Sequence, residues 1–183
     1  MTATQIILPA RLASSRLPEK LLQKVAGKSV LQHTYETAMR SRFASGGVVV
    51  ALDDPRLADE VESFGGRWIM TPTECASGTD RVAFVAAQFP EIEIFVNVQS
   101  DEPELDPGAI DAVCRAILQD PSADMSTAGT AIRNADSLFD PGIVKIVMAD
   151  FVDQTPDPPN DGAGTAAGSK NRAGKGRAVY FSR

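Results

Sequence analysis

Hydrophobic positions fall into short solid runs separated by stretches with helical spacing. Gln5–Leu8 is a short apolar run closed by Pro9, which predicts a buried strand followed by a loop. Val48–Leu52 is apolar throughout, as expected of a strand covered on both faces. Arg67–Met70, Ile94–Val98, Asp124–Ala131, Ile143–Met148 and Ala178–Phe181 read as further strands. Between them, Ser29 is placed to cap a helix in which Leu31, Thr34, Tyr35, Ala38 and Met39 share a face, and Gly46–Gly47 end it. Pro55 opens a second helix with Leu57, Val61 and Phe64 at i, i+4 and i+7, stopped by Gly65–Gly66. Val82, Val85 and Phe89 mark a third helix. Asp106–Pro107 opens a fourth, carrying Ile110, Val113 and Ile117.

Strands alternating with helices predict βαβ units, hence a mainly parallel sheet with helices on both faces. Ligands of such sheets bind outside the carboxyl ends of the strands. That rule points to the loops after Leu8, Leu52, Met70 and Val98. Residues 153–177 break the pattern, with five Gly and three Pro among 25 positions and no periodicity. They read as a flexible excursion between two strands. The expected organisation is one domain over residues 1–183, with 151–177 as an insertion.

Composition narrows the function classes. At 183 residues with 43% hydrophobic and 23% charged positions, the chain has the makeup of a globular domain. No apolar run approaches the ~18 residues of a membrane span, and the first residues lack a signal-peptide layout. Cys75 and Cys114 are too few for a disulfide framework, so a reduced, cytoplasmic setting is expected. A net charge of −6 makes nucleic acid a poor partner. Charge is uneven, however: Arg11, Arg16, Lys20, Lys24 and Lys28 against Glu19 make residues 11–28 locally +4. A basic loop in an acidic protein suggests a small bound anion.

Three segments carry candidate chemistry. In the loop from Pro9 to Lys20, Arg11, Arg16 and Lys20 supply two guanidinium forks and an ammonium suited to a triphosphate. A solvated loop is the plainer reading; its place after the first strand favours phosphate. Ser77-Gly78-Thr79-Asp80-Arg81 precedes a helix, where Ser77 either caps the helix or grips a base or anion, and taken alone capping is favoured. Gln99-Ser100-Asp101-Glu102-Pro103 follows a strand. Asp101 there is either a turn residue or a ligand for Mg²⁺ held against phosphate oxygens. The basic loop across the same sheet edge favours the metal. Gly27-Lys28-Ser29 imitates the tail of a P-loop, but Leu22 stands where that motif needs Gly. His33 is the lone histidine and reads as structural, which leaves neither a zinc site nor a Ser–His–Asp triad.

Taken together these segments resemble the CMP-KDO synthetases, the 3-deoxy-manno-octulosonate cytidylyltransferases. The resemblance is carried by Ile6-Ile7-Leu8-Pro9-Ala10-Arg11, Ser15-Arg16-Leu17-Pro18 with Lys20, Ala26-Gly27-Lys28 and Asp53-Asp54. It continues through Ser77–Arg81, Val96-Asn97-Val98-Gln99 with Asp101-Glu102-Pro103, Val144-Lys145 and Ala178–Arg183. It implies a three-layer α/β/α nucleotidyltransferase-type fold. It also implies an enzyme that transfers CMP from CTP to the eight-carbon sugar acid KDO, with Mg²⁺, for lipopolysaccharide assembly in the cytoplasm. By the same resemblance Ala10, Arg11, Arg16 and Lys20 would meet the triphosphate. Ser77, Gly78 and Arg81 would lie near the cytidine and Gln99 near base or sugar. Asp101 would bind the metal, and Lys20 and Asp101 would be catalytic.

Four positions depart from the family. Glu19 stands where the family usually has Gly, and a carboxylate ~5 Å from a phosphate charge costs roughly 3 kcal/mol at an effective dielectric of 20 unless it points away. Leu21 replaces a usual Pro, Leu52 a usual Thr, and Ser100 a Gly whose replacement is expected to crowd substrate or strain the backbone. By the resemblance, the family pattern continues past residue 183 with much of the sugar-acid pocket, a second metal-binding Asp and most of a homodimer interface. The alternatives are a CTP-binding domain without turnover, or a nucleotidyltransferase for another sugar. Whether Asp53 supplies a second metal carboxylate stays open.

Overall fold

The computed structural model describes residues 3–13, 17–153 and 174–182. Its residues gather into two compact units, Met1–Ser126 and Thr127–Arg183. The first is built on a four-stranded sheet in the order β5-β4-β1-β6, from β1 (Thr4–Ala10), β4 (Val48–Leu52), β5 (Arg67–Met70) and β6 (Ile94–Asn97). All of its ladders are parallel, with Ile6–Ala10 opposite Val48–Leu52 and Thr4–Ile7 opposite Ile94–Asn97. A small hairpin of β2 (Lys24–Val25) and β3 (Lys28–Ser29) stands apart from the sheet.

Every residue of β1 and β4 is buried, which is why these strands read as unbroken apolar runs. Strand β1 continues through Pro9, past the expected end at Leu8. Proline, which lacks an N–H, is tolerated because β6 stops pairing at Ile7, leaving Pro9 with β4 as its ladder neighbour. The buried Gln5 amide is satisfied by donating to the Gly47 and Ile6 carbonyls, each at 3.0 Å.

Alternation along β1 assigns the helices to faces. Ile6, Leu8 and Ala10 pack with Leu31 and Tyr35 of α1 (Val30–Ala38), Leu57 and Val61 of α2 (Pro55–Ser63), and Ile110 and Cys114 of α4 (Pro107–Gln119). Ile7 and Ala51 instead meet Val82 and Val85 of α3 (Gly78–Ala86). The result is the expected three-layer α/β/α arrangement. Four caps fix the helix starts: Ser29, Asp54, Ser77 and Asp106 each accept a backbone N–H from the first turn.

The second unit holds α5 (Ala135–Phe139) and an antiparallel pair, β7 (Lys145–Asp153) and β8 (Gly174–Ser182), with register shifts near Met148 and Asp150. Two expectations are corrected here. Residues 124–131 form no strand. The ends of the supposed excursion, residues 151–153 and 174–177, are paired strand. Residues 154–173 lie outside the described ones. No helix among the described residues is long and apolar enough to cross a membrane.

Candidate active site

The carboxyl ends of β1 and β6, with the start of α3, border a cleft of about 210 Å³. Arg11, Lys20, Gly78, Arg81, Gln99 and Asp101 all line it, so six of the nine expected site residues come together. Arg16 lies outside the described residues. Ala10 and Ser77 are not among the residues that line the cleft. The Ala10 methyl is fully buried in the core, which leaves only its backbone near the sheet edge. The Ser77 hydroxyl caps α3, accepting the Asp80 N–H at 3.1 Å and donating to the Asp80 carboxylate at 2.7 Å.

Lys20 begins a 3-10 turn, Lys20–Leu22, whose Leu21 is anchored in the core. From that anchor the Lys20 ammonium reaches across the cleft and donates to Asp101 Oδ2 at 2.7 Å. The two residues come from the loops after different strands, 81 positions apart. Their side chains are 40% and 42% exposed, so the pair stays open to an incoming ligand. Gln99 is steadied by donating to Asn97 Oδ1 at 3.0 Å. At Gly78 a Cβ would lie 3.3 Å from the Pro9 ring, so this glycine lets α3 approach the end of β1.

Arg81 borders the cleft from within the protein. It is fully buried, and its Nη2 pairs with Asp53 Oδ2 at 3.0 Å while Nη1 meets the Thr71 hydroxyl. Thr71 in turn donates to the Leu52 carbonyl at 2.8 Å. Among the described residues the Arg81 Nε has no partner. Asp53 Oδ1 accepts the Leu12 N–H at 3.0 Å, which ties the basic loop to the end of β4. Asp53 is thus committed to Arg81 and Leu12. The sequence singled out Asp53-Asp54 only through the resemblance; the Leu12, Thr71 and Arg81 contacts had no local signal.

The departures from the family are accommodated. Glu19 adopts φ +50°, the left-handed region that explains a usual glycine there. Its carboxylate accepts from Arg56 Nη1 at 2.5 Å. Arg56 also donates to both oxygens of Asp54, and these bonds hold the Asp54 carboxyl below its ordinary value while raising the guanidinium. Ser100 is not among the residues with positive φ. Instead of straining the chain, its buried hydroxyl donates to the Pro9 carbonyl at 2.8 Å and joins the ends of β1 and β6. Leu21 and Leu52 are core residues. The Lys28 ammonium is bonded to Glu36 at 2.6 Å, in keeping with its exclusion from a phosphate loop. His33 Nε2 lies 2.8 Å from the Val25 carbonyl, bracing the β2–β3 hairpin.

Among the described residues no three His, Cys, Asp or Glu side chains converge as a metal cage. Asp101 nonetheless brings an accessible hard oxygen to the cleft. That fits Mg²⁺, which takes one or two carboxylates and completes its shell with phosphate oxygens and water.

A parallel sheet flanked by helices, with cations and a carboxylate converging at its carboxyl edge, defines a nucleotidyltransferase-type α/β domain. A cytidylyltransferase family model matches residues 5–155, and the chain belongs to the cytidylyltransferase family. It is 55% identical over 145 residues to a 3-deoxy-manno-octulosonate cytidylyltransferase of Rhodopirellula baltica, an alignment covering 79% of this chain and 58% of that protein. To the enzyme of the same name from Geobacter sulfurreducens it is 45% identical over 141 residues, covering 77% of this chain and 56% of that one. The chain thus spans little more than half the length of these curated relatives. A solved CMP:2-keto-3-deoxy-manno-octonic acid synthetase in complex with CTP superposes with a TM-score of 0.72 at 32% identity, covering all of this chain and 74% of the other.

Proposed function

We propose that the cleft binds CTP and serves an enzyme that transfers CMP to KDO. The observation that carries this reading is the meeting of Lys20 and Asp101 at 2.7 Å at the carboxyl edge of the sheet, with Arg11 beside them. The names of the relatives support the choice of CTP and KDO as substrates.

In this reading Arg11 and Lys20 neutralise the triphosphate. An exposed ion pair is worth about 0–1 kcal/mol, so Lys20 leaves Asp101 for a phosphate at little cost. Asp101, freed of the ammonium, is the residue that would hold Mg²⁺. The ion, when bound, supplies charge neutralisation at the phosphates. The anomeric hydroxyl oxygen of the sugar acid forms a bond to the α-phosphorus, the α–β bridging bond breaks, and the hydroxyl proton leaves to solvent. Lys20 stabilises the negative charge gathering on the departing pyrophosphate. Such transfer rests on positioning and electrostatics more than on covalent help. Gly78, at the start of α3, and Gln99, just after β6, line the cleft and border the space left for the nucleoside. Use of the product in lipopolysaccharide assembly, a cytoplasmic location and a homodimer belong to the same proposal and rest on the resemblance.

The test is pyrophosphate release from CTP, KDO and Mg²⁺, alongside CTP binding by calorimetry. Turnover that disappears in Asp101→Ala supports the reading. CTP binding without pyrophosphate release refutes the transfer step, and no CTP binding refutes the site.

A further inference from the structure

We infer that Arg56 is a positioning residue for the nucleotide cleft, holding the Glu19 carboxylate off the phosphate-binding side of the basic loop. The inference rests on the CTP reading above. Glu19 directly precedes Lys20, whose ammonium bridges the cleft, so its charge enters the loop that must receive a polyanion. Its backbone is fixed at φ +50° and ψ 36°, and neither oxygen caps the turn that follows. The carboxylate is held by Arg56 Nη1 at 2.5 Å. Arg56 itself is fixed from the other side. Its Nε and Nη2 donate to Asp54 at 3.0 and 3.1 Å, and its backbone N–H is capped by the same carboxylate.

The guanidinium therefore spans two carboxylates and draws Glu19 toward the start of α2. Without it, Glu19 is an unpaired anion one residue from Lys20. There it repels a triphosphate and competes with it for the ammonium. Both members of the pair are about half exposed, which sets the scale of the effect. Loss of Arg56 is expected to weaken CTP binding by about three- to five-fold, the ratio an exposed charge pair supports. The loss falls on binding and leaves turnover at saturation nearly unchanged, because neither side chain lines the cleft.

The experiment measures the CTP dissociation constant in Mg²⁺ for the full chain, for R56A and E19G, and for the double variant. The expected result is a three- to five-fold weakening by R56A when Glu19 is present and a ratio near one in the E19G background. R56K should recover most of the loss, because the ammonium still reaches an acidic pair. Equal weakening by R56A in both backgrounds would overturn the inference, since Arg56 would then act on CTP or through the fold without Glu19. No weakening by R56A would overturn it as well. Failure of the unsubstituted chain to bind CTP would instead bring down the nucleotide reading, and this inference with it.

Discussion

Replacing Asp53 by Ala removes the carboxylate that pairs, among the described residues, with a fully buried guanidinium. Arg81 is 0% exposed, and among the described residues its charge is met by Asp53, since Thr71 is neutral. Breaking a buried pair from one side leaves an uncompensated charge and costs about 3–5 kcal/mol. The Leu12 N–H loses its acceptor in the same step, adding about 1 kcal/mol. Against a typical total of about 5–15 kcal/mol, that is a large fraction of the stability. Arg81→Met should cost less, because it leaves no cation behind and Asp53 keeps Leu12 and partial access to water, with its side chain 11% exposed. Urea unfolding of the three chains, compared at constant slope, reads both values. Exchange of the Leu12 amide should also quicken in Asp53→Ala, since that N–H loses its acceptor. A cost below about 1 kcal/mol for Asp53→Ala, or a larger cost for Arg81→Met, would show that the guanidinium does not depend on Asp53 and would refute the reasoning.

Three further outcomes are expected. Lys20→Ala and Asp101→Ala should each lower pyrophosphate release by about 10²-fold or more while shifting unfolding by less than about 1 kcal/mol, because the pair is exposed and serves the ligand more than the fold. Ser100→Gly, which restores the family residue, should destabilise by about 1–2 kcal/mol in urea, since the buried Pro9 carbonyl loses its donor. On acidification, Asp54 and Glu36 both have folded pKa values below their ordinary 3.8 and 4.5, through bonds first to Arg56 and Lys28 respectively. Their contribution is complete above those ordinary values and is lost as pH falls through the lower folded ones, so Asp54→Asn and Glu36→Gln should flatten the acid limb of a stability–pH curve.

What the sequence shows about this fold depends on how local each cause is. Caps and breakers act within a few residues, so Ser29, Pro55 and Asp106 mark helix starts that the structure reproduces. Solid apolar runs mark buried strands for the same reason, and Val48–Leu52 has the expected bounds; Arg67–Met70 also has its expected bounds, as a partly exposed strand at the sheet edge. The Lys20–Asp101 meeting was legible at one remove, because parallel topology brings loops after different strands to one edge. Composition misled where pairing is non-local. Gly174 and Gly176 look like linker residues, yet a Cβ on either would lie within 3 Å of β7 backbone oxygens, so their lack of a side chain is what allows the hairpin. Residues 124–131 have strand-like spacing but pair with no strand among the described residues, and Met125 is largely exposed.

The Asp53–Arg81 pair shows why the remaining part of the site stayed hidden. Its members lie 28 residues apart, one just after β4 and the other in the first turns of α3. The resemblance implies a place for Arg81 near the cytidine and leaves open a metal role for Asp53. Once β4 and the start of α3 are placed at the same sheet edge, their charges neutralise each other inside the protein. Arg81 is then not a free cation of the cleft, and among the described residues Arg11 and Lys20 are the other cations that line it. In the CTP reading proposed above, Glu19 sits directly before one of these cations, which is why its carboxylate needs Arg56 to restrain it and why losing Lys20 should cost far more than its weak ion pair implies.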